Sequence, residues 1–221
     1  LIFKDDKKDE ATNREIVNDY INQGIKIVIG NVTSSMSKIS MSIINQYKDM
    51  FMISAASASN EFSGIDDQFF RVHAANNELR FDSFTKYIKK QNFNKIYAIY
   101  DPGNATYAKD YVENFEKSFI INGGDKFIKY AKTNENLDDL IENIYDLNPD
   151  LVLICANSVD AARVVQYLRL KGIKTQIASA EWAMTPAFIE NSGRNSEGII
   201  FNMDYDENSK SEDFLMFSKK F

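Results

Sequence analysis

Short apolar runs of β-forming residues alternate along this chain with longer segments of helical periodicity. Residues 25–29 predict a strand, and residues 34–48 place apolar side chains at the three- and four-residue spacing of a helix. Further strands are predicted at residues 51–53, 69–72, 95–100, 126–130, 150–155, 175–179 and 198–202. Continuously apolar strands that alternate with helices are typical of parallel sheets covered on both faces. The sequence therefore predicts an α/β protein.

The predicted elements fall into two sets, which we interpret as two doubly wound parallel-sheet lobes joined by a hinge. We assign residues 1–92 to the first lobe, residues 93–203 to the second lobe, and residues 204–221 to a return into the first. The expected crossings between the lobes are residues 91–94 and the acidic, apolar-poor stretch at residues 204–209.

Both ends of the sequence fall inside predicted elements. Residues 1–3 are an apolar, strand-like run, and residues 213–221 stop within an amphipathic helical pattern. We therefore expect a piece of a longer chain whose first lobe is truncated. No signal-peptide core is present, and no apolar run approaches the ~18 residues that a membrane span needs.

Composition excludes several classes of function. A net charge of −6 argues against a nucleic-acid partner, which requires a clustered basic face. One cysteine and one histidine cannot form an internal disulfide or a Cys/His zinc site. We expect no metal and no cofactor.

Ligands of open parallel sheets bind beyond the carboxyl ends of the strands, so the loops there hold the candidate residues. After the strand at residues 25–29, Thr33, Ser34 and Ser35 lead directly into a helix. Hydroxyls beside the N–H groups of a helix N-terminus can bind a carboxylate or phosphate. The alternative is an ordinary N-cap, which nearly every helix needs.

Four other loops carry polar or aromatic candidates. Residues 54–60 are small and rich in hydroxyls, which suits either close ligand approach or a flexible loop. Tyr107 lies in the first turn of a helix, and Asn157 follows the strand at residues 150–155. Glu181 ends a strand beside Trp182, the only tryptophan, so it could pair with a cationic ligand group or be a solvated loop acid.

Enzyme signatures are weak by comparison. The sequence has no dinucleotide-binding glycine motif, no phosphate-binding P-loop and no G-x-S-x-G nucleophile turn. His73, at the end of a strand, is interpreted as a polar junction residue, and Cys155 as a buried, unreactive thiol. We expect no catalytic residues.

Four runs together resemble the type I periplasmic substrate-binding proteins of branched-chain amino-acid (Leu/Ile/Val) ABC transporters, a family of extracellular ligand-binding receptors. They are residues 25–35, 51–61, 96–107 and 180–193, and their order and spacing cover essentially the whole chain. The resemblance implies a two-lobed clamp that closes by a hinge over an amino acid in the cleft.

The resemblance also implies a carboxylate end of the site. Ser34 matches the family serine that holds the ligand carboxylate, and the segment Ala56, Ser57, Ala58 matches a loop that supplies a carbonyl and a second hydroxyl. Here the chain departs from the family, because Ala58 occupies the usual threonine or serine position. Either Ser57 or Ser59 substitutes for that hydroxyl after a small shift, or the carboxylate loses one contact.

The opposite end of the site is implied to lie in the second lobe. Tyr107 matches an aromatic residue that covers the ligand, Asn157 a cleft-lining residue, and Glu181 the acid that pairs with the α-ammonium. The implied protein is a monomeric, extracytoplasmic component of an amino-acid importer, periplasmic or at the cell surface and in some cases lipid-anchored, which delivers its solute to an ABC permease. The alternatives are a sensor domain of the same fold and, less favoured, a cytoplasmic α/β enzyme.

Overall fold

The computed structural model describes residues 1–204, 206 and 208–220 and contains two parallel sheets. Tyr205 and Glu207 of the second predicted crossing, and Phe221 at the end of the return segment, lie outside the described residues. The helices are α1 Glu10–Asn22, α2 Ser34–Ile44, α3 Asp82–Lys90, α4 Ala105–Ile121, α5 Leu137–Leu147, α6 Ser158–Leu170, α7 Pro186–Ser192 and α8 Glu212–Ser218. The strands are β1 Ile27–Ile29, β2 Phe51–Ser54, β3 Phe69–Arg71, β4 Lys95–Tyr100, β5 Lys126–Lys132, β6 Leu151–Cys155, β7 Gln176–Ala180 and β8 Ile200–Asn202.

The second lobe is a doubly wound sheet of five strands in the order β5-β4-β6-β7-β8, with every pairing parallel. Along β4, Tyr97 and Ile99 pack under α5, α6 and α7, whereas Ile96 and Ala98 face α3 and α4. Both faces are therefore buried, as the continuous apolar strands predict. Chain order reverses between β4 and β6, which opens a crevice beyond their carboxyl ends.

The first lobe is a smaller parallel sheet in the order β1-β2-β3. Helices α1 and α2 cover one face, where Val17, Met41, Ile44, Met50 and Met52 form the buried cluster. The other side chains of the strands make up an exposed apolar surface, which we call the open face: Ile27, Ile29, Phe51, Ile53 and Phe70. Among the described residues, helices cover only one side of this sheet.

The first crossing lies earlier in the chain than the sequence predicts. The sequence predicts that helix α3 belongs to the first lobe, which it ends at residue 92, but Phe84 and Ile88 of this helix pack into the second-lobe core with Phe115. The chain therefore leaves the first sheet after β3 and crosses before residue 78. Amphipathicity alone does not reveal which of two sheets a helix covers, and this is why the sequence misplaces the boundary.

The beginning of the chain also differs from the expectation. Residues 1–3 form no strand, and α1 follows them, capped by the Asp9 carboxylate, which accepts the N–H of Thr12 at 2.8 Å. Within the described part of the chain, no helix is both long and apolar enough to cross a membrane.

Candidate functional site

A cavity of about 190 Å³ lies between the two lobes. Loops that follow strands of both sheets form its walls, in agreement with the carboxyl-end position that parallel topology favours. The lining residues are Val32, Ser34, Ala55, Ala56, His73, Asn104, Tyr107, Glu181 and Trp182. This volume is below the ~300 Å³ at which pockets for drug-sized ligands begin, so it suits a small solute.

A larger cavity, of about 550 Å³, lies along β1 and α1 of the first lobe. Lysines and aspartates of residues 4–8 stand at its entrance, and it gathers no loop from the second lobe. We take the inter-lobe cavity as the site, because it collects residues from both sheets and contains a buried carboxylate.

Ser34 forms the first-lobe end of the cavity, at the first turn of α2. Its Oγ accepts the N–H groups of Ala58 at 3.2 Å and Ser59 at 3.3 Å. A hydroxyl oxygen has two lone pairs, so these two bonds leave the O–H hydrogen as the group that Ser34 can offer to a ligand. Thr33, which precedes Ser34, is the N-cap, and its Oγ1 accepts the N–H of Met36.

Ser35 joins the lobes and does not line the cavity. Its N–H donates to Asn104 Oδ1 at 3.1 Å, and its Oγ accepts the N–H of Thr106 at 3.2 Å. The first turns of α2 and α4 therefore meet across the cleft, and Asn104 also contributes to the cavity wall.

The loop after β2 contributes backbone and small side chains. Ala56 lines the cavity, while Ala58 is fully buried in the second-lobe core cluster. The Ser57 hydroxyl bonds to those of Ser37 at 2.6 Å and Ser54 at 2.9 Å, and the Ser59 hydroxyl accepts from Glu61 N–H. Neither hydroxyl reaches the cavity, so the hydroxyl absent at position 58 is not replaced.

Glu181 and Tyr107 form the second-lobe end. The Tyr107 hydroxyl donates to Glu181 Oε1 at 2.8 Å, and burial holds the pKa of this phenol well above its usual value, so it remains a donor. Glu181 Oε2 is buried and has no hydrogen-bond partner among the residues that the structure describes. Trp182 packs edge-on against the Tyr107 ring at a centroid distance of 5.4 Å. Glu181, which lines the cavity beside Tyr107 and Trp182, therefore carries one buried acceptor oxygen that these contacts leave unused.

Asn157 lies away from the cavity. It caps α6, and its Oδ1 accepts the N–H groups of Val159 and Asp160, both at 3.1 Å. Its amide donates to Asp101 at 3.1 Å and Asp160 at 2.6 Å. The side chain is thus fully occupied within the second lobe.

Arg80 is the main residue of the site that the sequence does not reveal. Its Nη2 donates to Glu181 Oε1 at 2.6 Å, and its Nε donates to Asp204 Oδ1 at 2.8 Å. Asp204 also faces His73, with Nε2 and Oδ2 3.2 Å apart. Arg80 is separated from Glu181 by 101 positions, and nothing in the local sequence marks it.

His73 lines the cavity and is more than a junction residue. Its Nδ1 lies 2.9 Å from the carbonyl oxygen of Ala74, so both ring nitrogens face acceptors. Only the doubly protonated ring can donate to both. The hydrogen bond to Asp204 accordingly raises the pKa of His73.

The three potential metal ligands of this cluster do not make a convincing metal centre. One ligand atom from each of His73, Glu181 and Asp204 lies within 4.8 Å of the others. The Arg80 guanidinium, however, already bonds to both carboxylates. The guanidinium bonds to one oxygen of each carboxylate, and its positive charge disfavours a second cation at the same place.

The comparisons with known proteins agree with this architecture. The sequence profile of the periplasmic binding protein family matches residues 1–221. No curated protein matches the chain.

Solved structures of the same fold match over most of the chain. A leucine binding protein, LivK from Thermotoga maritima, is 19% identical with a TM-score of 0.81, over 98% of this chain and 63% of its own. The substrate binding protein LivJ from Streptococcus pneumoniae, in complex with isoleucine, is 17% identical with a TM-score of 0.75. The match covers 90% of this chain and 57% of LivJ. An ABC transporter solute binding protein from R. palustris, in complex with benzoate, is 16% identical with a TM-score of 0.80. The match covers 98% of this chain and 60% of that protein.

The chain therefore spans less than two thirds of the length of these proteins. Their structures share its two-lobed parallel α/β architecture, which confirms the fold class that the sequence predicts. Because the family profile extends over all 221 residues, this chain belongs to the periplasmic binding protein family, with the type I fold.

Proposed function

We propose that the chain is the ligand-binding clamp of an extracytoplasmic solute-binding protein that captures an α-amino acid and delivers it to an ABC permease. The observation that carries this proposal is the buried, unpartnered Oε2 of Glu181 at the inter-lobe cavity. A buried acceptor without a partner is costly, and a ligand ammonium would satisfy it.

The opposite wall suits the other end of a zwitterion. Ser34 directs its O–H hydrogen toward a ligand carboxylate, at a helix N-terminus whose partial positive charge favours an anion. Ser34 and Glu181 belong to different lobes, so a ligand that bonds to both would favour the closed clamp through its differential affinity.

We infer binding without catalysis. Cys155 is fully buried, and burial raises the pKa of its thiol well above the usual value, so it does not supply a nucleophile. His73 has both ring nitrogens bonded to acceptors, so it offers no free base. We also propose an extracytoplasmic location, with or without a lipid anchor, because members of the family are extracytoplasmic. A monomeric state is part of the same proposal.

Calorimetric titration with each of the twenty amino acids and with benzoate tests the proposal. We expect one or more amino acids to bind, and Glu181→Gln to weaken that binding by roughly ten- to a hundredfold, the value of one charge-assisted hydrogen bond. Glu190→Gln, an exposed glutamate on α7, is the matched control and should bind as the wild type does.

Two results would contradict the assignment. Binding of benzoate but of no amino acid, unchanged by Glu181→Gln, would replace the amino acid with a simple carboxylate. Steady turnover of a small acyl or phosphoryl substrate, abolished by Glu181→Ala, would favour an enzyme. A sensor domain of the same fold would differ from a transport component only in its partner. Association of the closed form with a receptor or kinase, instead of a permease, would identify the chain as such a sensor.

A further inference from the structure

Arg80 stands behind the cavity wall, beside the first crossing and beside Asp204 at the start of the second predicted crossing. Its side chain is only 7% exposed, and it does not line the cavity. The guanidinium lies over the rings of Phe81 and Tyr111, 5.8 and 5.9 Å from their centroids. Cation–π contacts and several hydrogen bonds hold the guanidinium of an arginine in one orientation.

This fixed cation determines which oxygen of Glu181 is available. Arg80 Nη2 and the Tyr107 hydroxyl both donate to Oε1, at 2.6 and 2.8 Å. Oε2 receives no bond and is the oxygen left for the cavity. Burial would lower the pKa of Arg80, but the charges of Glu181 and Asp204 raise it further, so the guanidinium remains charged.

The same guanidinium connects Glu181 to both crossings. It donates to Asp204, which follows β8, and to Asn76, which follows β3. His73, also in the first crossing, faces the second oxygen of Asp204. Rotation of the lobes about these segments would therefore move the groups that hold Glu181 in place.

We propose that Arg80 is a positioning residue for ammonium recognition: it supplies the counter-charge of Glu181, holds that carboxylate by Oε1 so that Oε2 is free to accept from the ligand, and ties it to the two crossing segments. The inference rests on the proposed function, because it concerns the same cavity. Without Arg80, a buried carboxylate has lost its counter-charge, and burial then favours the neutral acid. A neutral acid pairs weakly with an ammonium, so binding becomes sensitive to pH.

The other titratable groups around Glu181 can be held constant in such a comparison. Tyr107, Tyr111 and Cys155 are buried, and burial raises the pKa of each well above its usual value, so they stay neutral through the neutral range. Arg80 lowers the pKa of both His73 and Asp204, so each variant is also compared in a His73→Gln background, which removes the imidazole titration from the pH window.

The test measures the thermal shift caused by an equimolar mixture of the twenty amino acids, between about pH 5.5 and about pH 8. We compare wild type, Arg80→Gln, Arg80→Lys and Arg71→Gln. Arg71 is the matched control, because it bonds to Ser59 O and Ser63 Oγ in the first lobe and does not touch Glu181.

In Arg80→Gln, the mixture concentration that gives half the maximal shift should rise roughly ten- to a hundredfold at the acid end and recover as the pH increases. In Arg80→Lys it should rise at least about threefold with a wild-type pH profile, since an ammonium keeps the charge but not the fork. A purely structural arginine would lower the melting temperature without changing the pH profile of binding.

The test distinguishes a failure of the role of Arg80 from a failure of the proposed function. If the half-maximal concentrations of Arg80→Gln equal those of Arg71→Gln at every pH, the role of Arg80 is overturned and the proposed function is left intact. If Arg80→Gln does not fold, an Arg80→Lys variant that binds like the wild type would overturn it equally. No shift of the wild type with the mixture would refute the proposed function, and the inference would fail with it.

Discussion

Replacement of Ser34 by alanine removes an oxygen that two buried amides share. The N–H groups of Ala58 and Ser59 donate to it at 3.2 and 3.3 Å. Ser34 is 1% exposed and the other two residues are 0% exposed, so water cannot take its place without a rearrangement. Each orphaned buried donor costs about 1–3 kcal/mol, and we expect Ser34→Ala to lower the free energy of unfolding by about 3 kcal/mol even without ligand.

Urea unfolding measures this loss, and amide hydrogen exchange locates it. The amides of Ala58 and Ser59 should exchange faster in the variant, because their acceptor is gone. Ser42→Ala is the matched control on the same helix: Ser42 is exposed, its hydroxyl donates to Ile39 O, and its removal should change stability by less than about 0.5 kcal/mol. Equal stability losses in the two variants, or unchanged exchange at Ala58 and Ser59, would refute the structural role of the Ser34 oxygen.

Three further outcomes are expected. The hydrogen bond to Asp204 raises the pKa of His73 above its ordinary value of 6.5. The stability that this hydrogen bond contributes is therefore complete below pH 6.5 and is lost as the pH rises through the folded-state pKa of His73. Chemical denaturation at a series of pH values should show this loss in the wild type and not in His73→Gln. Gly124→Ala would place a Cβ 2.3 Å from the buried Phe119 ring and should cost about 1–3 kcal/mol, seen as a lower melting temperature. Cys155 is 0% exposed, so a thiol-reactive dye should label it only after unfolding, and fast labelling of the folded chain would contradict its burial.

The sequence is most informative where a general rule connects position to environment. Parallel strands expose their carboxyl ends at one edge of a sheet, so the strand pattern places Ser34 at that edge of the first sheet and Tyr107 and Glu181 at that edge of the second. The family resemblance adds that the two edges face a common cleft. The structure brings all three to one cavity. Their roles in ligand binding stay predictions, to be tested by titration.

Other candidates depend on the direction of a side chain, which loop composition does not determine. Ser57 lies in a hydroxyl-rich loop and Ser35 in the first turn of α2, yet the Ser57 hydroxyl bonds within the first lobe and Ser35 bonds across the cleft. Arg80 escapes sequence analysis for a related reason. Its partners Glu181 and Asp204 lie 101 and 124 positions away, and only the crossing of the chain between lobes brings them together.

Within these 221 residues, the open face of the first sheet leaves the two lobes with unequal buried cores. The second lobe has a core on each side of its sheet, whereas the described first lobe has a core on one side and exposes Ile27, Phe51 and Phe70 on the other. Local unfolding should therefore begin in the first lobe, the half that carries Ser34. A solute that bridges the lobes would protect that weaker half from unfolding, so ligand capture should appear in hydrogen exchange as slower opening of β1, β2 and α2.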